Sequence, residues 1–291
     1  MKTITIVGLG LIGGSLAGAL RGFEDYRIIG VDSNSAARRY AEENEIADVI
    51  TDDTAYAVSQ GDVVMCCLHP GGTVQFLQEY KDTFAPGALV ADVSGVKTAI
   101  MQAAECLGDS VDFIGTHPMA GKEKGGIENS SKHLFDGAHY IITPRDNSRI
   151  ENIELLKRMS RHIGCRDTIV TTPEEHDAII AYTSQVMHVM AVAICDDPFM
   201  FDCLGFEGGS FRDCTRVAAL DPELWTELFA MNAPALAGTI RRLEERLAAY
   251  REVIESGDED MLMKKLKYSS DRKRAMNIEH RRGDDVLLPQ E

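Results

Sequence analysis

A histidine and a serine follow two predicted strands, at the edge of an open α/β sheet where ligands bind. His117 ends an apolar stretch, and Pro118 directly after it halts the strand and fixes the backbone. A neutral imidazole near pH 7 can take the proton of a hydroxyl group that is being oxidised. Ser94 follows the preceding strand and could orient that hydroxyl or the imidazole. We therefore predict that His117 and Ser94 are catalytic, with a structural cap as the alternative role for His117.

A glycine-rich turn joins the first predicted strand to the first predicted helix. It reads Gly8-Leu9-Gly10-Leu11-Ile12-Gly13, which has the spacing of the dinucleotide-binding fingerprint. The helix that follows can stabilise a pyrophosphate with its free N–H groups and its dipole. A turn used only for packing, and a flavin dinucleotide as ligand, are the alternatives. The predicted cofactor-binding residues are Gly8, Gly10, Leu11, Ile12, Gly13, Asp32 and Leu68.

Asp32 lies at the end of the second predicted strand, about 20 residues beyond the glycines. A carboxylate there accepts hydrogen bonds from the adenosine ribose and repels a 2′-phosphate, so NAD is favoured over NADP. Arg38 and Arg39 on the next predicted helix are a solvated face that could still tolerate NADP. No metal site is predicted.

Strands and helices alternate through the first 170 or so residues, which indicates a parallel α/β sheet. After Pro173 the alternation stops and helical patterns continue nearly to the end. We predict a Rossmann-type dinucleotide-binding domain over residues 1–171 and a helical domain for substrate binding and dimerisation over residues 172–291. The predicted strands are Thr3–Val7, Arg27–Val31, Val63–Cys67, Leu89–Asp92, Phe113–Thr116, Tyr140–Thr143 and Thr168–Val170.

The segment Glu174–Cys195 is apolar on nearly every face, and such a helix must be enclosed on all sides. A small helical domain cannot enclose it alone, so we expect a homodimer through this half of the chain. Its polar residues make a membrane span less favourable than a buried helix. Gly283–Glu291 is predicted to be a frayed tail.

The net charge is −16, from 30 Lys and Arg against 46 Asp and Glu. This charge disfavours nucleic acids and anionic membranes as partners. An anionic substrate therefore needs a local Arg or Lys in its binding site. Arg212 is a less favourable candidate for this role, because it is expected to pair with Asp213 or Asp177 at the surface. The seven cysteines are scattered and show no C-x-x-C pair, which favours a reducing cytoplasm.

Several segments resemble the prephenate dehydrogenase family, and together they span nearly the whole chain. The most specific are Thr116-His117-Pro118-Met119-Ala120-Gly121 and Phe211-Arg212-Asp213-Cys214-Thr215-Arg216. The others are Gly8–Ser15, Asp92–Lys97, Glu123, Lys124, Gly126, His176-Asp177, Ser184–His188 and Asp221–Trp225.

The resemblance implies NAD(P)-dependent oxidative decarboxylation of prephenate to 4-hydroxyphenylpyruvate, on the route to tyrosine. It implies that His117 bonds the ring hydroxyl, that Ser94 assists it, and that Arg216 grips a substrate carboxylate. It also implies that His188 lines the site from the helical half and that Trp225 forms part of the wall.

Ser184 lies four residues before His188, so a helix places both on one face. Both are predicted to contact the substrate, with a core histidine bonded to Ser184 as the alternative. Lys122 is a further predicted substrate contact, although it stands where the resemblance leads us to expect a small polar residue such as Thr.

Three other functions remain open. Arogenate dehydrogenase performs the same chemistry on an amino acid and is hardly separable by sequence. A 3-hydroxyacid dehydrogenase would use a lysine of the helical domain, which Glu174–Asp197 lacks. A nucleotide-binding module without turnover would not need His117, Ser94 and Arg216 together.

Overall fold

The structure is a computed structural model that describes the backbone of residues 1–287 and the side chains of residues 1–278. The chain divides into two compact units, Met1–Leu236 and Ala237–Glu291. The predicted domain limit at residue 171 stays a prediction.

One eight-stranded sheet lies in the first unit, in the order β3-β2-β1-β4-β5-β6-β7-β8. All neighbouring strands are parallel except β6 and β7. The strand order reverses between β1 and β4, which is where such sheets form a ligand crevice. The strands are β1 (Lys2–Val7), β2 (Tyr26–Val31), β3 (Val49–Thr51), β4 (Val63–Cys66), β5 (Leu89–Asp92), β6 (Asp112–Pro118), β7 (His139–Thr143) and β8 (Asp167–Val170).

Helices cover both faces of the sheet and then continue to Leu287, the last residue whose backbone the structure describes. Two apolar clusters form the core, one containing Ile4 and Ile6 of β1 and the other containing Val7, as expected when successive side chains point to opposite faces. The helices are α1 (Leu11–Leu20), α2 (Ser35–Glu43), α3 (Thr54–Gln60), α4 (Pro70–Glu79), α5 (Thr98–Ala103), α6 (Ile150–His162), α7 (Pro173–Ile180), α8 (Val186–Cys195), α9 (Gly209–Thr215), α10 (Pro222–Met231), α11 (Ala233–Ser256) and α12 (Glu259–Leu287).

The predicted α/β sheet and helical region are confirmed, and each of the seven predicted strands is present. The prediction of a wholly parallel sheet is wrong at β7, which pairs antiparallel with β6. A parallel return needs a crossover of a dozen or more residues, usually a helix. The segment between β6 and β7 contains one short 3₁₀ turn, Ile127–Asn129, so β7 starts at the sheet edge where β6 ends. The sequence also gave no signal for β3, α3 or α6.

The apolar segment after Pro173 forms α7, a π-helical turn over Ala181–Gln185, and α8. Among the described helices, this one is long and apolar enough to cross a membrane. Its polar residues His176, Asp177 and Gln185 are nevertheless buried in the fold. The predicted enclosure on all sides is not achieved by one chain, because Tyr182 is 66% exposed and Met187 is 44% exposed.

Helix α12 continues to Leu287, five residues into the predicted frayed tail. The remaining four residues of that tail lie outside the described residues.

Candidate active site

The carboxyl ends of β5 and β6 bring the two predicted catalytic residues to one place. His117 lies near the end of β6, opposite Ile141 of β7, and is half-buried. A Cβ built on Gly95, the neighbour of Ser94, would lie 3.9 Å from His117 Nε2. The Ser94 hydroxyl is buried, and its oxygen has no hydrogen-bond partner among the described residues. A buried, unpaired hydroxyl on a loop that approaches an imidazole is suited to bind a substrate or cofactor group.

A buried ion pair fixes this edge of the sheet. Lys97 Nζ donates to Asp92 Oδ2 at 2.5 Å and to the Thr116 carbonyl at 2.6 Å. Both charged side chains are fully buried, and burial lowers the pKa of Lys97 although Asp92 opposes the change. The pair therefore ties the end of β5 to the residue that precedes His117.

His117 contacts a second histidine on α7. The distance from His117 Nδ1 to His176 Nε2 is 3.0 Å, and His176 Nδ1 lies 2.8 Å from Asp177 Oδ1. Burial, with the neighbouring His176 and Lys97, holds the pKa of His117 well below its usual value. His117 is therefore neutral at pH 7 and able to accept a proton.

His188 lies on α8 and stacks on Trp225, with 3.6 Å between the ring centroids. Its Nδ1 is 3.0 Å from the Ser184 carbonyl oxygen, so Nδ1 donates and Nε2 is left to accept. Burial lowers the pKa of His188, and the charge of Arg216 lowers it further. Ser184 thus bonds His188 through its backbone carbonyl, and the predicted contact of both residues with the substrate stays a prediction.

Arg216 forms an ion pair with Glu123 of the loop after β6. The two side chains are 60% and 56% exposed, so the guanidinium remains open to an incoming anion. Lys122 donates to the Asn129 carbonyl at 2.6 Å. This bond ties Lys122 to its own loop, whereas Arg216 and His188 lie near each other.

The glycine turn has the geometry that a dinucleotide needs. Gly8 has a φ of +90°, and a Cβ on Gly13 would lie 1.8 Å from the Gly8 carbonyl oxygen. A Cβ on Gly10 would meet nothing within 4 Å. Gly8 and Gly13 are therefore required by the turn and by packing, whereas Gly10 leaves open space where a pyrophosphate can approach.

A crevice of about 220 Å³ at the β1–β4 switch point is lined by Gly8, Asp32 and Leu68, among others. Asp32 Oδ2 accepts from Leu9 N and Oδ1 accepts from Asn34 N, each at 2.7 Å. These bonds fix the carboxylate at the mouth of the crevice. Leu11 and Ile12 form the first turn of α1 and are half-buried.

Arg38 is held away from this carboxylate. It donates to the carbonyls of Asp32 and Ser33 at 2.8 and 2.9 Å, and it pairs with Asp52 at 2.8 Å. Its charge is thus already matched, whereas Arg39 is exposed on α2.

Sequence reasoning assigned no role to His176, Asp177, Lys97 or Glu123. The predicted surface partnership of Asp177 with Arg212 is wrong, because Asp177 is 3% exposed and accepts bonds from His176 and from the backbone after β5. The available signal was the resemblance, which includes Asp92–Lys97, Glu123 and His176-Asp177, but it assigned none of these residues a role.

Two sequence profiles match the chain. The profile described as "Prephenate dehydrogenase, nucleotide-binding domain" matches residues 16–169, and "Prephenate dehydrogenase, dimerization domain" matches residues 172–268. A cyclohexadienyl dehydrogenase of Zymomonas mobilis is 28% identical over 286 residues, which cover 96% of this chain and 97% of the relative.

Solved structures give the same picture. Prephenate dehydrogenase from A. aeolicus, in complex with hydroxyphenyl propionate and NAD+, superposes with a TM-score of 0.85 at 29% identity. That match covers 95% of this chain and 98% of the other. Synechocystis arogenate dehydrogenase gives a TM-score of 0.81 at 28% identity, covering 94% of this chain and 99% of the other.

Proposed function

Because the chain belongs to the prephenate dehydrogenase family, we propose that it oxidises and decarboxylates prephenate to 4-hydroxyphenylpyruvate, for tyrosine biosynthesis. The observation that carries the proposal is that the neutral His117 lies close to the loop that carries the buried, unpaired hydroxyl of Ser94, at the sheet edge that also forms the dinucleotide crevice.

His117 acts as the base that draws the proton from the ring hydroxyl of the substrate, with its neutral imidazole held at the end of β6. Ser94 orients that hydroxyl. Loss of CO2 restores the aromatic ring, so much of the driving force lies in the substrate. The residues of the chain therefore position the reacting carbon and stabilise charge as it moves.

Prephenate carries two carboxylates, and a chain of net charge −16 must provide local positive charge to bind it. Arg216 offers a guanidinium that can pair with a carboxylate through two parallel hydrogen bonds. His188, neutral and stacked on Trp225, offers Nε2 as an acceptor next to this guanidinium.

The cofactor is NAD, which accepts the hydride when bound. Gly8, Gly10 and Gly13, with the N-terminal turn of α1, hold its pyrophosphate, and Asp32 receives the adenosine ribose. Two features support a preference over NADP: the fixed carboxylate of Asp32 and the engagement of Arg38 by Asp52.

The decisive assay mixes the purified protein with prephenate or arogenate and with NAD or NADP, and follows the absorbance of the reduced cofactor. We expect the largest kcat/KM for prephenate with NAD. Absence of turnover with both substrates would exclude the proposed function.

Arogenate is the second candidate substrate, and the ion pair between Arg216 and Glu123 favours it. An amino acid presents a carboxylate and an ammonium together, and Arg216 and Glu123 offer the complementary pair of charges. Glu123→Gln should then lower kcat/KM for arogenate more than for prephenate. An equal change for both substrates would remove Glu123 from substrate choice.

We infer that the helical half, residues 172–291, forms a homodimer. The match to a dimerization domain supports this, as do the exposed apolar side chains of Ile179, Tyr182, Met187 and Ile194. Sedimentation equilibrium should give twice the mass of 32.0 kDa.

We also propose that the protein works in the cytoplasm, away from nucleic acids and membranes. In support, none of its seven cysteines is paired, and its charge repels phosphate backbones.

A further inference from the structure

Three side chains form a hydrogen-bonded row that begins at His117 and leads into the core. His117 Nδ1 contacts His176 Nε2 at 3.0 Å, and His176 Nδ1 contacts Asp177 Oδ1 at 2.8 Å. Asp177 also accepts from the backbone N–H groups of Lys97 and Thr98, each at 2.8 Å. His176 and Asp177 are both 3% exposed, so the inner part of the row is shielded from water.

The position of each proton follows from the partners, starting at the inner end. Burial raises the pKa of Asp177, but hydrogen bonds from His176 and Thr98 bring it below its usual value, so the carboxylate is ionised and only accepts. His176 Nδ1 must therefore donate, which leaves its Nε2 as an acceptor. His117 Nδ1 must then donate to that acceptor, and His117 Nε2 carries no proton. This bare nitrogen faces the loop of Ser94.

A positive charge is better stabilised on the imidazole of His176 than on that of His117. A proton on His117 would place a positive charge near Lys97, whose own charge is paired with Asp92. A proton on His176 would place the charge in direct contact with the Asp177 carboxylate. The groups that face the row are thus His176 and Asp177 from α7, Asp92 at the end of β5, and Lys97 in the turn that follows it.

We propose that His176 and Asp177 are positioning residues that keep His117 Nε2 unprotonated and then take over the charge of the proton that it accepts. This inference rests on the proposed function. As the substrate O–H bond breaks, an N–H bond forms at His117 Nε2. The His117 Nδ1–H bond breaks in turn, and the proton bonds to His176 Nε2. Asp177 stays ionised throughout, and once the loss of CO2 has left a phenolate oxygen on the ring, the proton returns along the same two bonds to that oxygen.

A matched pair of variants separates the two hydrogen bonds of His176. His176→Gln puts an amide oxygen about where Nε2 lies, so it still accepts from His117 but cannot take up a proton. His176→Asn puts an amide nitrogen about where Nδ1 lies, so it still donates to Asp177 but leaves His117 without an acceptor. His133→Gln replaces an exposed histidine bonded to Asp136 and serves as the control.

We expect both His176 variants to lower kcat by roughly 10- to 1000-fold, less than the roughly 10²- to 10⁴-fold effect of losing the general base itself. The acid limb of the pH profile of kcat should shift to higher pH, since burial and His176 together hold the pKa of His117 below its usual value and the variants remove the second of these causes. His133→Gln should change neither quantity. An unchanged kcat and acid limb in a folded His176→Gln protein would overturn the proton transfer to His176.

The tautomers can be measured without any substrate. The chain has eight histidines, so 15N-edited NMR spectra of the imidazoles are tractable, and His117→Asn assigns the signals of His117. We expect the wild type to carry the His117 proton on Nδ1, and His176→Asn to shift it towards Nε2. A wild-type His117 protonated on Nε2 would overturn the proposal even if prephenate is oxidised. Conversely, a correct tautomer with no turnover would refute the proposed function, and the proton transfer with it.

Discussion

The two halves of the candidate site differ in how firmly they are built. At the catalytic edge, His176, Asp177 and Lys97 are at most 3% exposed and are held by bonds from β5, β6 and α7. At the carboxylate-binding end, Arg216 and Glu123 are more than half exposed and make one ion pair with each other. Breaking a buried ion pair costs about 3–5 kcal/mol, whereas an exposed pair contributes roughly 0–1 kcal/mol. In the proposed function, the geometry for proton transfer is thus fixed within the fold, while the residues that bind the substrate carboxylate remain adaptable.

Replacing the base should give the largest effect. His117→Asn should lower kcat by roughly 10²- to 10⁴-fold, because the general base is lost while the asparagine amide can still donate to His176. Affinity for NAD, measured by fluorescence titration, should change little. A near-normal kcat would show that His117 is not the base, and the buried edge of the site would then no longer be its catalytic part.

Breaking the buried pair tests how firmly the catalytic edge is held. Lys97→Met leaves the Asp92 charge buried without its partner, so the free energy of unfolding should fall by about 3–5 kcal/mol. Urea denaturation measures it. Lys132→Met, at an exposed lysine, should stay within about 0.5 kcal/mol of the wild type. Equal stabilities for the two variants would contradict the role of Lys97.

Opening the exposed end should affect binding alone. Arg216→Ala removes a charge-assisted bond to the substrate carboxylate, so KM should rise roughly 10- to 100-fold with much smaller changes in kcat and stability. Arg158→Ala is a matched control, because Arg158 also forms an exposed ion pair with a glutamate, Glu24, at 2.9 Å. An unchanged KM would place Arg216 outside the site.

The cofactor crevice is intermediate in burial between the two ends of the site, since the half-buried carboxylate of Asp32 is fixed by two hydrogen bonds from backbone N–H groups. Replacing Asp32 should have the smallest effect of the four substitutions. Asp32→Ala should lower the NAD-to-NADP ratio of kcat/KM roughly tenfold, since the loss of a hydrogen bond to the ribose and of repulsion towards a 2′-phosphate act together. Dissociation constants for NADH and NADPH provide a second readout. If the ratio stays constant, the preference resides elsewhere.

Sequence patterns predicted the sheet well because its strands are buried apolar runs that end in recognisable turns. They missed β3, which is three residues long. They also missed the antiparallel direction of β7, which depends on a connection from β6 that contains no crossover helix. The burial of Lys97 was also not predictable, since lysine is almost always exposed. It depends on Asp92 and on a carbonyl of the neighbouring strand.

For the site, a strand end followed by Pro118 predicted that His117 lies at the edge of the sheet, because local sequence fixes that geometry; its catalytic role stays a prediction. The contact of His117 with His176 joins residues 59 positions apart, and no spacing rule predicts it. Glu123 and Arg216 are 93 positions apart, so their pairing likewise follows only from the folded chain.

The π-helical turn at Ala181–Gln185 has a consequence for how this site tolerates insertions and deletions. Such a turn adds one residue to a helix, and one residue corresponds to about 100° of rotation. Deleting a single codon here would hardly alter the length or hydropathy of the helix. It would nevertheless rotate His188 by somewhat more than a quarter of a revolution relative to His176 and so displace it from the side of the helix that packs against Trp225. Deleting one of these five residues should therefore disturb the site more than a conservative substitution at one of them.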